Sequence, residues 1–361
     1  MKPLSGVRIL EFDGLGPVTF AGMVLADLGA EVLRLTRADG AGVFGDVGGA
    51  VLHRARAAVP VDLKDPADRD RVLDLVTTAD AVIEGFRPGV LERLGLGPEA
   101  CQARNPRLVF GRITGWGQTG PLAPTVGHDL NYIALTGALH AMGEPDRPPR
   151  PPLNLVGDYG GGAMLLVTGV LAAVIEARTT GRGRVVDAAM TDGAALLSSL
   201  FFALSASGLW SGERGSNLLD GGAPFYRCYT CADGGFVAVG ALEPRFYAAL
   251  LDGLGIDPAT APQFPASSWP ALHDRFEALF RARPRDDWAE HFAGTEACVT
   301  PVLTFAEAAT HPHNQARGTL AGSPVQPAPA PRFDGDVEAI GPAAILSLEA
   351  ALALWRQATA A

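Results

Sequence analysis

The sequence predicts an α/β protein: a mostly parallel sheet with helices on both faces over roughly the first 190 residues, followed by a second, smaller domain. Three observations carry this. Short strand-like apolar runs alternate with helical runs from the start of the chain. The 361 residues are 48% apolar and only 19% charged, enough to bury a sizeable core and too little charge for a disordered or coiled-coil chain. The character then changes after Gly212, where a glycine- and proline-containing run leads into a hairpin pattern.

Val7–Phe12 reads as a strand, Phe20–Leu28 as an apolar helix stopped by Gly29, and Glu31–Leu35 as a second strand, so the chain opens β-α-β. Asp65–Thr78 has helical spacing of Val72, Leu73, Leu75 and Val76. Ala81–Glu84 is a strand, Val90–Leu94 begins a helix, and Arg107–Ile113 is a further strand. A dinucleotide fingerprint is absent at Gly14-Leu15-Gly16, because its third glycine would fall on Thr19 and Pro17 stands where the turn should open. No nicotinamide or flavin cofactor is therefore expected. Beyond Gly212, Phe225–Gly240 forms a hairpin turning at Asp233-Gly234, with helices near Pro244–Leu254, Trp269–Ala282 and Trp288–Phe292. The Pro-rich run Gln326–Pro331 reads as an extended segment carrying the chain back across a surface. These readings divide the chain into 1–215, a large domain with a long connecting helix; 216–305, a small domain; and 306–361, a return to the large domain.

A formal charge of −10 argues against nucleic acid as a partner, since phosphate neutralisation needs a basic surface. Four cysteines in a chain this long do not form a disulfide framework, and Met-Lys-Pro-Leu-Ser-Gly lacks a secretory apolar region; a reducing, cytoplasmic setting is expected. Tyr159–Ile175 and Gly193–Gly212 are uncharged. The first is short and opens on glycines, the second is rich in serine, so both are expected as buried helices, possible subunit contacts, with no membrane span.

Few titratable residues have unusual surroundings. His128 follows the loop Gly115–Pro124 and stands at a helix start, where the dipole keeps an imidazole neutral and able to act as a base; His128 or Asp129 could equally be a plain helix cap. Asp158, in Val-Gly-Asp-Tyr-Gly-Gly-Gly, opens a very apolar helix among glycines that admit close backbone approach, and an N-cap aspartate is the alternative. Glu243 ends a strand of the second domain, where a surface turn would also account for it. Cys228-x-x-Cys231 has no second pair and His311-Pro312-His313 has no carboxylate cluster, so structural roles and no metal are expected. Arg34, Arg37, Arg54, Arg56, Lys64, Arg87 and Arg93 bunch near predicted strand ends, the ligand crevice of a parallel sheet, with solvated surface charge as the other reading.

A set of runs in fixed order carries a resemblance: Pro-Leu-Ser-Gly-Val-Arg-Ile-Leu-Glu-Phe at the start, Leu-Ala-Asp-Leu-Gly-Ala-Glu-Val (25–32), Val-Asp-Leu-Lys (61–64), Gly-Phe-Arg-Pro-Gly-Val (85–90), Thr-Gly-Trp-Gly-Gln-Thr-Gly-Pro (114–121), Gly-His-Asp-Leu-Asn-Tyr (127–132), Gly-Asp-Tyr-Gly-Gly-Gly (157–162), Val-Asp-Ala-Ala-Met-Thr-Asp-Gly (186–193) and Leu-Asp-Gly-Gly-Ala-Pro-Phe-Tyr (219–226). Over nearly the whole chain it resembles the class III CoA-transferase superfamily of CaiB/BaiF type, and within it the racemase branch acting on 2-methylacyl-CoA thioesters. The resemblance implies a Rossmann-like large domain, a small α/β domain and a homodimer of interlocked chains. It implies an acyl-CoA thioester substrate with no separate cofactor, CoA being held near Leu15, Arg37, Val61, Lys64, Gly85, Phe86, Arg87 and Arg93, where guanidinium forks suit phosphates. His53–Pro60 departs from the more polar, Lys-containing run of many relatives. The implied catalytic set is His128, Asp158 and Glu243: two groups flank a flat enolate as alternating acid and base, Glu243 orients His128, and backbone N–H groups at the Asp158 helix start meet the thioester oxygen. The implied alternative is a CoA transferase in which Asp158 attacks the thioester and carries an acyl anhydride.

Overall fold

The computed structural model describes residues 2–14, 16–38 and 49–357. Two compact units are formed, the first from Met1–Ala138, Pro152–Ser199 and Pro312–Ala361, the second from Leu139–Pro151 and Leu200–His311. The 215/216 boundary read from sequence thus falls inside the second unit, which begins at Leu200 and also takes in a segment from the middle of the chain.

The first unit is built on a seven-stranded sheet: β1 (Arg8–Phe12), β2 (Glu31–Arg37), β3 (Ala57–Val61), β4 (Ala81–Glu84), β5 (Val109–Thr114), β6 (Val185–Ala189) and, from the C-terminal segment, a two-residue strand at Ala344–Ile345. That terminal strand lies outside β3, and the order continues β3-β2-β1-β4-β5-β6 with every pairing parallel. Both faces are covered, so the strands are apolar on both sides. On one face Ile9, Val32, Ile83 and Val109 pack against α1 (Pro17–Asp27). On the other, Leu10, Leu33, Val59 and Phe110 meet Val72, Leu75 and Val76 of the helix Pro66–Val76, and Trp355 of the C-terminal helix Leu348–Gln357. Pro17 does not block α1 but opens it, because a proline at the first helical position gives up an N–H that would be unbonded anyway.

β3 escapes the sequence reading because Pro60 argues against a strand. Its outer neighbour reaches only Ala57 and Ala58, so Pro60 needs no donor on that side. The Pro-rich run is also partly corrected: Gln326–Pro327 pairs antiparallel with Leu320–Ala321 before the chain runs on. Of the basic residues expected at the crevice, three are structural. Arg56 is fully buried and meets the equally buried Glu11 at 2.5 Å, a contact that leaves no room for a Cβ at Gly22. Arg54 is buried against Asp27 at 2.6 Å and also donates to Gln326, and Arg34 pairs with Asp13 at 3.0 Å. Arg56 and Arg54 each neutralise a buried carboxylate, which outweighs a ligand role there.

The helix α2 (Met164–Thr180) continues a π-helical segment, Leu155–Ala163. Together, Leu155–Thr180 is the one helix among the described residues long and apolar enough to cross a membrane, its most apolar 18 residues having a mean hydropathy of 1.8. Half of that 18-residue stretch is buried, and Leu166 and Val170 press on Gly111 of β5, where a Cβ would sit 2.8 Å from each.

After β6, α3 (Met190–Leu197) packs on the π-helical segment and is followed by α4 (Ser199–Ala206). The expectation that Gly193–Gly212 is buried fails within one chain. No residue of α4 is buried, and Leu196, Leu197, Leu200, Phe202 and Leu209 are all more than half exposed.

The second unit holds an antiparallel sheet of β7 (Tyr226–Thr230), β8 (Phe236–Gly240) and β9 (Val299–Val302). The β7–β8 turn uses Gly234 at φ +78°. Helices Pro244–Gly253, Trp269–Phe280 and Arg285–His291 cover it with Tyr247, Leu250, Phe276, Phe280 and Trp288. All four cysteines are free thiols, and burial pushes the Cys101 thiol up to about 12. Among the described residues no group of three or more His, Cys, Asp or Glu could hold a metal.

Candidate active site

In the first unit β2 and β4 lie on opposite sides of β1, so the strand order reverses there, and the crevice outside the carboxyl ends of β1 and β4 is where a sheet of this kind takes ligands. A cavity of about 310 Å³ lies in that crevice. Gly16 comes from the loop after β1, Phe86 and Arg87 from the loop after β4, and Trp116 from the loop after β5; His128 and Asp158 complete the wall.

Asp158 is the fourth residue of the π-helical segment. Its backbone N–H donates to Asp129 Oδ2 at 2.7 Å, and Asn154 Nδ2 donates to its own Oδ2 at 3.4 Å. A Cβ at Gly16 would come within 3.5 Å of that same carboxylate oxygen, and Gly16 has φ +77°, so the β1 loop approaches Asp158 through a glycine in a left-handed conformation. Burial pushes the Asp158 carboxyl above its ordinary range and the Asp129 charge adds to the rise, against the Asn154 hydrogen bond and the pull of His128. Such a group can give and take a proton nearer neutral pH than a solvated aspartate can.

His128 is the residue before the short helix Asp129–Ala134, in extended conformation, and its backbone N–H donates to Asn131 Oδ1 at 3.1 Å. The loop before it is pinned by Tyr132. The Tyr132 hydroxyl donates to the Gly127 carbonyl, its ring stands edge-on to Trp116 at 4.9 Å, and a Cβ at Gly115 would lie 2.0 Å from the ring. A Cβ at Gly127 would lie 2.7 Å from the same ring, so Tyr132 requires glycine at both 115 and 127. Trp116, Val126 and His128 also line an adjoining hollow of about 610 Å³, together with the exposed Leu135.

The structure brings His128, Asp158, Gly85, Phe86 and Arg87 to one cavity. Arg37 stands exposed at the end of β2, Val61 is buried at the end of β3, Lys64 is exposed just beyond it, and Arg93 reaches back with Nη1 over Gly89. The first three lie at or just beyond the carboxyl ends of their strands, and Arg93 ends the short helix Val90–Arg93 that follows β4. Leu15 lies outside the described residues. Glu243 belongs to the second unit, exposed at the start of the helix Pro244–Gly253. One expectation is corrected: the Asp158 and Tyr159 backbone N–H groups are not free for a thioester oxygen, because Asp129 and the Asn154 carbonyl already accept from them.

Sequence reasoning missed the support of the β4 loop. Glu84 is fully buried; it accepts from Arg112 Nε at 2.6 Å and from the Phe86 N–H at 2.7 Å, while Arg112 also donates to Glu92 at 2.6 Å. Burial pushes the Glu84 carboxyl up even so, whereas the Arg112 hydrogen bond holds that of Glu92 down. The reach of Asp129 to the Asp158 amide and the part played by Tyr132 were missed as well, although the glycines around them were a visible signal.

A doubly wound parallel sheet with a histidine and a raised carboxyl in its switch-point cavity defines an α/β protein built to bind a small molecule and move protons on it. The chain belongs to CoA-transferase family III, whose model matches residues 4–338. It is 44% identical to the alpha-methylacyl-CoA racemase of Mus musculus over 91% of this chain and 86% of that protein, and 43% identical to the one of Homo sapiens over the same shares. The crystal structure of a CAIB/BAIF family protein from Brucella suis superposes with a TM-score of 0.82 at 25% identity, covering 99% of both chains.

Proposed function

We propose that this chain interconverts the (2R) and (2S) epimers of 2-methylacyl-CoA thioesters by 1,1-proton transfer through an enolate. The observation that carries the reading is the meeting of His128 with the raised carboxyl of Asp158 in one cavity. One group takes the α-proton as base, the charge moves onto the thioester oxygen, and the other returns a proton to the opposite face. Each such transfer is typically worth about 10²–10⁴-fold. The names of the mammalian relatives support the same reaction. CoA enters as part of the substrate, with no further cofactor. In this reading its phosphates fall to Arg37, Lys64, Arg87 and Arg93 and the rest of its length to Leu15, Val61, Gly85 and Phe86. The acyl chain takes the adjoining hollow beside Val126 and Leu135, which supplies apolar surface next to His128.

The working form in this reading is a homodimer, favoured by the exposed apolar face of α4, and Glu243 accepts a hydrogen bond from His128 to fix its tautomer. The setting is cytoplasmic, with acyl-CoA and lipid metabolism as the context. Incubation of a 2-methylacyl-CoA in D₂O tests the reaction. The expected result is α-deuterium uptake and epimer equilibration without an added acceptor acid. His128→Ala and Asp158→Ala abolish epimerisation, and Glu243→Ala reduces it less than His128→Ala. Transfer of CoA to a free carboxylate without deuterium uptake, with hydroxylamine trapping an acyl group on Asp158, would replace this reading by the transferase.

A further inference from the structure

Asp129 follows His128 directly and is 5% exposed, yet it is neither a surface charge nor half of an ion pair. Its Oδ2 accepts the backbone N–H of Asp158, 29 residues away, at 2.7 Å. Amides in the first turn of a helix have no acceptor within it, and a charged side-chain oxygen there satisfies a donor the helix leaves open. Room for the carboxylate exists only because residue 157 is glycine: a Cβ there would sit 2.7 Å from Asp129 Oδ2 and 2.9 Å from its Cγ. The other oxygen, Oδ1, is buried without a hydrogen-bond partner, a penalty a purely structural cap would not need.

We propose that the Asp129 side chain is a positioning residue for the proton transfer: it ties the Asp158 backbone to the segment that carries His128, so that one carboxylate sets both groups across the enolate. This rests on the two-base reading above. Asp129 also acts on Asp158 through its charge, raising that carboxyl along with burial. The other charges around the π-helical segment are accounted for. His128 pulls the carboxyl down, and the Tyr132 hydroxyl is raised by burial and by Asp158 and Asp129, against Arg87. Asp27 of α1 is paired with Arg54, Arg112 of β5 lies between Glu84 and Glu92, and Asp187 of β6 accepts the Gln118 N–H. Asp192 of α3 is exposed, and Glu176 of α2 pairs with Arg184.

The test compares Asp129→Ala, Asp129→Asn, Gly157→Ala and Asp158→Asn by kcat, KM for a 2-methylacyl-CoA, the pH profile of kcat/KM, and thermal melting. Asp129→Ala should lower kcat about 10²-fold, the loss expected for a misplacement near 1 Å, with KM within about twofold. Asp129→Asn keeps an acceptor but drops the charge. Its acid limb should move to lower pH by about one unit, a shift that loss of a structural hydrogen bond would not produce. Gly157→Ala, which pushes the carboxylate away without removing it, should lose kcat to a similar degree. A wild-type kcat and acid limb in Asp129→Asn overturns the inference, as do losses in Asp129→Ala confined to KM and melting temperature. Should the Asp129 variants fail to fold, a wild-type kcat in Gly157→Ala overturns it alone. If Asp158→Asn still racemises, the two-base reading falls and takes this inference with it. If Asp158→Asn is dead while Asp129→Asn matches wild type, only the inference falls.

Discussion

Asp158 illustrates how a site residue works against the fold that holds it. Its carboxyl is raised by burial first and by Asp129 second, so the folded chain binds its proton more tightly than the unfolded chain does. The stabilising contribution of such a group is fully present below the unfolded carboxyl pKa and is lost as pH rises through the folded value. At pH 8 the ionised side chain therefore penalises folding, and a neutral amide does not. Asp158→Asn should melt about 1–3 °C above wild type at pH 8, with the gain vanishing near pH 3, while racemisation is abolished. Calorimetry at the two pH values checks it; an unchanged or lower melting temperature at pH 8 would contradict the burial of an ionised carboxylate. His128 and Asp158 were visible in the sequence as titratable residues beside glycines. Asp129 was visible only as a possible cap, because nothing local shows that its carboxylate reaches residue 158.

Among the elements, the π-helical segment depends on contact with α3. A Cβ at Gly193 would lie 1.9 Å from the Gly161 carbonyl oxygen, and one at Gly161 would lie 2.7 Å from the Ala194 nitrogen. Backbone meets backbone here, so neither side can yield by turning a side chain. Gly193→Ala should destabilise the chain by about 1–3 kcal/mol, the usual range for overpacking, and should lower kcat because Asp158 sits three residues before Gly161. Denaturant melts and kinetics on the same preparation test both halves. A variant as stable and active as wild type would mean that the two elements are not held this closely. Strands β1, β2 and β4 were legible because each is a short, mostly apolar run bounded by turn or helix signals. β3 was not, since only its place beside a two-residue outer strand makes Pro60 acceptable.

At the scale of the whole molecule, the uncharged stretch after β6 is unexplained by one chain. Leu200 and Phe202 are 54% and 59% exposed on α4, in a run without a single charge. An exposed, uncharged apolar helix of this kind is expected at an interface between copies. Sedimentation should show a dimer that persists on dilution, and Leu200→Glu combined with Phe202→Glu should dissociate it and reduce racemisation. A monomer of full activity for the wild-type chain would remove the dimer.

The sequence by itself determined the α/β class, the parallel pairing, the hairpin of the second unit and the residues able to do proton chemistry, because strand and helix periods, turn glycines and titratable side chains are local properties. Tertiary structure decided which charges are spent on the fold and which face the crevice: Arg54 and Arg56 are consumed by Asp27 and Glu11, while Arg87 lines the cavity. It also decided that the Asp158 amide is held by Asp129 and that the chain returns at Ala344–Ile345 to close the sheet edge. Those pairings join residues 27 to 287 positions apart, and a local pattern cannot encode which distant partner will neutralise a buried charge.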